Sequence, residues 1–174
     1  MWKDIEATGI GITIGVTVFL LVNIALGRDI LPRAEREFVA IESVEIDLDP
    51  NSLYGTNCAM CHQADGSGMA GQFPPLVGSH WVTDDPETPL RLLLLGISGE
   101  IEVEGETYNG VMPGQGHLNN EQLAVLANHI RTSWGNESEV EITPELVEEI
   151  RTSLAGRTDP VGGGAELQAM RAAP

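Results

Sequence analysis

Lysine is all but missing from this chain. Of its 174 residues only Lys3 is a lysine, and beyond residue 36 the only lysine or arginine side chains are five arginines. Four acids and four bases balance within residues 1–36, so the formal net charge of −17, from 26 acids against 9 bases, arises entirely after them. A surface so poor in positive charge repels phosphate. It excludes nucleic acid as a partner, and it suits a basic docking partner or a high-salt habitat. Cysteine is nearly as scarce, with Cys58 and Cys61 the only two. No second closely spaced ligand pair accompanies them, since His80, His117 and His129 are scattered, and a four-ligand zinc site is left incomplete. No internal repeat is present.

What the chain does have is one long apolar run, "TGIGITIGVTVFLLVNIAL" at residues 8–26, free of charge and flanked by Glu6 and Arg28. At 1.5 Å per residue, nineteen helical residues just cross a bilayer core. No small-x-small cleavage site follows, so the run is expected to be an uncleaved N-terminal transmembrane anchor rather than a signal peptide. Gly11 and Gly15 form a small-xxx-small pair suited to packing against another transmembrane helix. Arg28, Arg33 and Arg36 follow the run, and by the positive-inside rule alone they would place the rest of the chain in the cytoplasm.

The expected organisation is an anchor at 1–27, a juxtamembrane linker at 28–49, a compact domain at 50–136 and an acidic C-terminal extension at 137–174. Asp49 followed by Pro50 starts a helix carrying Tyr54 and the cysteine pair. A Gly- and Pro-rich loop follows to residue 79, and then a helix at about 86–97. Residues 98–117 read as an extended turn or short hairpin leading into an irregular loop. A strong helix is expected at 120–134, capped by Asn119 with Gln122 as its capping-box partner. One short amphipathic helix at "TPELVEEIRTSLAG" and a loose tail complete the chain.

The chemistry concentrates in "CAMCH", residues 58–62. Two thiols at this spacing serve a redox disulfide, a zinc corner or the covalent attachment of haem. A thioredoxin-like disulfide needs a preceding strand, and none is expected here. Thiols at i and i+3 on a helix can add to both vinyl groups of one haem, with His62 placed under the iron. Met112 in "YNGVMPGQGH" then supplies a soft sixth donor from a separate segment. His117, five residues further on, is the rival donor, while Met69 belongs to a glycine-rich turn and Met60 is fixed between the cysteines.

Residues 52–136 closely resemble class I cytochrome c, in the bacterial subgroup with CxxCH, "FPPLVGS" at 73–79, "YNGVMPG" at 108–114 and "SWGN" at 133–136. The resemblance implies a mainly α cytochrome c fold, three or more helices around one covalently bound haem c. It implies Cys58 and Cys61 as thioether anchors, His62 and Met112 as axial ligands, and Pro74 as carbonyl acceptor for the His62 ring. Leu76 would pack on the haem face and Trp81 would lie near a propionate. His129 departs from the family, which often has an aromatic residue there, and is expected to be a packed helix contact. Haem attachment of this type occurs outside the bacterial inner membrane, so the resemblance implies a single-pass protein with a periplasmic haem domain, against the arginine count. A His/Met iron has no open position, which implies electron transfer rather than catalysis. The expected role is a subunit of a membrane redox complex, a haem–copper oxidase or quinol-oxidising complex. The alternatives are a donor or acceptor for a periplasmic dehydrogenase or reductase, and, third, a haem-based sensor.

Overall fold

The computed structural model describes residues 16–23, 25 and 46–172. The chain divides into two units, Met1–Val44 and Glu45–Pro174. In the first, residues 16–23 are helical (α1) with exposed apolar side chains from Val16 to Val22. Among the described residues no helix is long and apolar enough to cross a membrane. The expected anchor lies largely outside the described residues, as do Gly11, Gly15 and most of the linker.

The second unit opens with α2 (Pro50–Asn57), where the Asp49 carboxylate accepts from Asn51 N at 3.1 Å and proline occupies the first turn. The expected single helix is in fact two. Cys58 leaves helical geometry at φ −126°, ψ −38°, and a short α3 (Ala59–His62) follows, its first turn closed by His62 N donating to Cys58 O. Gln63 ends α3 in left-handed geometry (φ 62°), and the Tyr54 hydroxyl holds its carbonyl at 2.6 Å.

After the Gly/Pro loop come α4 (His80–Thr83) and α5 (Glu87–Leu95). Asp85 starts α5, accepting from the backbone N–H groups of Glu87 and Thr88 and from the Thr88 hydroxyl. The apolar run does not carry this helix to 97, because Gly96 turns the chain at φ 73° straight into a strand. A Cβ at Gly96 would collide with the Met112 carbonyl. Gly96→Ala is therefore expected to displace the neighbouring strand, measured as a fall in thermal midpoint against Gly55→Ala, an exposed position with open space around it and outside the cleft.

The segment expected as an extended turn or short hairpin leading into an irregular loop is a regular antiparallel hairpin as far as Pro113, longer than expected, β1 (Gly96–Val103) with β2 (Glu106–Pro113), and Ile97 pairs with Met112. Glu104 and Gly105 both have positive φ (52° and 78°), the geometry of a two-residue turn whose twist matches its strands. Met112 thus sits on a strand, not in a loop. Next, α6 (Asn120–Thr132) carries the full expected capping box, Gln122 N to Asn119 Oδ1 at 2.8 Å and Asn119 N to Gln122 Oε1 at 3.1 Å.

The C-terminal region is packed rather than loose. In α7 (Pro144–Ser153) Val147 and Ile150 are buried in the main core with Leu123, Leu126 and Ala127 of α6. Arg151 donates to Asn120 Oδ1 and to the carbonyls of Gly116 and Leu118. Val161 then lies beside β1, exchanging hydrogen bonds with Gly96 O and Ser98 N. Finally α8 (Gly164–Ala172) seats Leu167 in a second cluster with Trp81, Ile97, Ile101, Val103 and Tyr108. The architecture is mainly α with one hairpin, and Met112 packs against both clusters.

Candidate haem site

Between the two clusters lies a cleft with about 1040 Å³ of empty space, part of it continuous with solvent. Cys58, Cys61, His62, Pro74, Leu76, Trp81 and Met112, the seven residues expected at the site, all line it. Three separate segments bring them together: α2–α3, the loop into α4, and the hairpin.

The helix break at Cys58 buries that cysteine, while Cys61, one turn on, is half-buried. No disulfide joins them, and burial, with Cys61 close by, pushes the Cys58 thiol up to about 11. Cys58 is therefore not poised as a nucleophilic thiolate. His62 is buried, and its ring Nδ1–H donates to Pro74 O at 3.0 Å. That bond fixes the tautomer and leaves the Nε2 lone pair available to a metal. Burial holds the imidazole pKa below its usual value, with the Pro74 bond pulling the other way, so the ring is kept in the neutral form that ligates.

The Pro74–Leu76 segment is held in place from behind. Leu76 N and Val77 N both donate to Gly66 O, and Gly68 N donates to His62 O. Gly66 has φ 71°, and a Cβ there would sit 2.5 Å from the Trp134 ring. Asn136, quoted above only as part of "SWGN", is buried and makes three bonds: it accepts from Gly78 N and donates to Leu76 O and Ile130 O. Asn136→Ala leaves those backbone groups unpaired. A loss of about 3 kcal/mol in unfolding free energy is expected by denaturant titration, with the cleft loop exchanging amide hydrogens faster.

On the opposite strand Met112 is half-buried, and Tyr108, Gly110 and Met112, the residues of one strand face, line the cleft with Ile97, Gly99, Ile101 and Val103 of β1. The rival donor is not brought here: His117 is exposed and outside the lining. His129 packs tilted against Tyr54 and edge-on against Trp134, at ring distances of 5.8 and 5.7 Å, and its Nδ1 lies 3.2 Å from the Ser133 hydroxyl; it is not among the residues lining the cleft. Met60 is 89% exposed, and Met69 pairs with Phe73 across the loop. Trp81 spends its indole N–H on Glu102 O at 2.8 Å.

A flat apolar macrocycle carrying two vinyl groups and a metal suits this donor set: two thiols, a neutral imidazole and a thioether around an otherwise apolar cavity. Residues 51–134 match the family model for cytochrome c. Cytochrome c-552 of Thermus thermophilus is 39% identical over 108 residues, which is 59% of this chain and 82% of that protein. The chain belongs to the cytochrome c family. Its cofactor is covalently bound haem c, and it is an electron-transfer protein, not itself catalytic. Other relatives are parts of larger chains. The cytochrome c subunit of an alcohol dehydrogenase (quinone) from Gluconobacter oxydans is 34% identical over 106 residues, 59% of this chain but 22% of that one. The gluconate 2-dehydrogenase cytochrome c subunit of Pantoea cypripedii is 34% identical over 107 residues, 58% of this chain and 23% of that one.

Proposed function

We propose that this cytochrome is a membrane-anchored, mono-haem electron carrier working as a subunit of a membrane redox complex, a haem–copper oxidase or a quinol-oxidising complex, on the outer face of a bacterial inner membrane. In this reading residues 1–27 are the anchor, 28–49 the linker and 50–136 the haem domain, with 137–174 wrapped onto it. Cys58 and Cys61 hold the haem, His62 and Met112 are its axial ligands, and Pro74, Leu76 and Trp81 shape its pocket. The observation that carries the site assignment is the Nδ1–H bond from His62 to Pro74 O, which aims the free nitrogen of a neutral ring into a cleft lined by both cysteines and Met112. Haem attachment at CxxCH outside the membrane supports the orientation, and tethering raises the effective concentration of the domain near a membrane partner.

The second reading is favoured by the relatives. Three kinds of dehydrogenase, acting on alcohol, gluconate and fructose according to their names, contain cytochrome subunits resembling this chain. On that reading the donor is a dehydrogenase rather than a quinol-oxidising complex.

All five arginines of the described domain are committed within it: Arg91 to Glu87, Arg131 to Val82 O and Val140 O, Arg151 to the α6 entrance, Arg157 to Glu166, and Arg171 to Asp84 and Asp85. The surface left for docking is acidic, so a basic partner face is expected. Its reduction rate should fall steeply as ionic strength rises from about 10 mM to 150 mM, where the Debye length shortens from roughly 30 to 8 Å.

The decisive experiment follows the covalent haem of this chain through a native gel of detergent-dissolved membranes, with a reduced-minus-oxidised spectrum of the band. Other haems or copper in the band support the complex, and a co-migrating dehydrogenase supports the second reading. Recovery of the haem protein in the soluble wash fraction would rule out the anchor.

A further inference from the structure

Haem c carries two propionate carboxylates, and a carboxylate drawn out of water is costly unless a cation or hydrogen-bond donors receive it. Among the described residues the cleft offers no cation, since no lysine or arginine lines it. Nor is one close at hand to spare. Arg131 is turned to the Val82 and Val140 carbonyls, and Arg171, over the Trp81 ring at 5.7 Å from its centroid, is paired with Asp84 and Asp85. Among the described residues, a side-chain donor to a propionate from this wall would therefore be a neutral one.

Most of the neutral donors in the wall are already in use. The Trp81 indole donates to Glu102 O, the Tyr108 hydroxyl to the Glu106 carboxylate, the Gln115 amide to Pro113 O and the Asn57 amide to Leu53 O. Ser79 is different. It lines the cleft and is 2% exposed, yet its hydroxyl makes no hydrogen bond among the described residues. It precedes α4 without capping it. No fully enclosed side-chain nitrogen or oxygen in the described structure lacks a partner, so this hydroxyl keeps a sliver of open surface. The space that it borders is the cleft. Its own position is well fixed, since Ser79 O accepts from Val82 N and Thr83 N, and the preceding Gly78 N is held by Asn136.

We propose that Ser79 is a haem-binding residue whose hydroxyl donates a hydrogen bond to a propionate carboxylate. The assignment rests on the cleft being the haem site. A hydroxyl donor stabilises the ionised carboxylate by a charge-assisted bond without cancelling its charge, which suits a wall that carries no charge of its own.

The test compares holoproteins by resonance Raman spectroscopy, reading the propionate-bending band, whose frequency reports hydrogen bonding to that carboxylate. Ser79→Ala is expected to shift the band to lower frequency, with the axial-ligand bands unchanged, and Ser79→Thr to keep it at the native position. Ser79→Val, equal in shape to threonine but lacking the hydroxyl, repeats the comparison independently of how well the alanine variant folds. It is expected to follow alanine. A band unmoved in both the alanine and valine variants overturns the proposal, as does a band that moves in Gln115→Leu and not in them. The haem assignment itself is read separately, from the mass of the native peptide bearing residues 58–62. Absence of haem there would defeat the site, whereas haem present with an unmoved band defeats only the role of Ser79.

Discussion

Replacing both Cys58 and Cys61 by alanine is expected to abolish haem retention through denaturation, so that the haem stain of the band on a denaturing gel falls to background. Covalent attachment needs a thiol at each vinyl group, and these are the only two thiols in the chain. They are carried on a short helix whose backbone is anchored at both ends, by Cys58 N to Tyr54 O and by the Tyr54 hydroxyl on Gln63 O. Single replacements should each keep one thioether and a weakened stain. The double variant isolates attachment from ligation, because His62, its Pro74 bond and Met112 are untouched. Haem added to it is expected to bind reversibly and to leave on extraction with acidified organic solvent. A stain that persists in the double variant would mean that the haem is anchored elsewhere, and the reading of the motif would fail.

Much of this site was legible because its chemistry demands residue types at short, fixed spacings. The pair of thiols and the adjacent imidazole lie within five residues and Met112 stands beside Pro113, whereas Pro74 and Leu76 were expected only from the resemblance to class I cytochrome c. The start of α6 was readable for a similar reason, since a capping box is a local bond pattern between Asn119 and Gln122. What escaped depends on contacts distant in sequence. The nine-residue α8 is shorter than a helix that propensity alone sustains, and it exists because Leu167 buries against the hairpin and Arg171 reaches Asp84 and Asp85. The hairpin was underestimated because its first residues, Gly96 and Ile97, continue the leucine run of α5. Their partners, Pro113 and Met112, lie beyond glycines that read as loop. Asn136 and Ser79 had no readable role, for a buried amide bonding three backbone groups and a hydroxyl left without a partner are facts of packing. The Arg131 side chain makes the same point: a charged residue on the expected helix is buried at 1% exposure, its guanidinium spent on carbonyls from α4 and from residue 140.

Met112→Leu is expected to lower the midpoint potential by a few tenths of a volt, within the ~0.8 V that axial ligation spans, and to let the ferrous protein bind carbon monoxide without denaturant. Leucine is the informative choice because Met112 packs against both hydrophobic clusters. Truncation to alanine would add a cavity cost of about 2–5 kcal/mol, whereas the leucine swap conserves volume. The backbone of residue 112 is tied to Ile97 through the ladder, and its carbonyl packs against Gly96, so the strand is expected to stay where it is while the sulfur donor is lost. Met112→His keeps a donor at the same strand position and is expected to lower the potential without admitting carbon monoxide. The two variants together separate the nature of the ligand from its presence. If the leucine variant keeps the native potential and still excludes carbon monoxide, the sulfur of Met112 is not the sixth ligand. The exposed His117, on the loop that follows the strand, then becomes the residue to replace, at the cost of a rearrangement large enough to carry it into a cleft that it does not line.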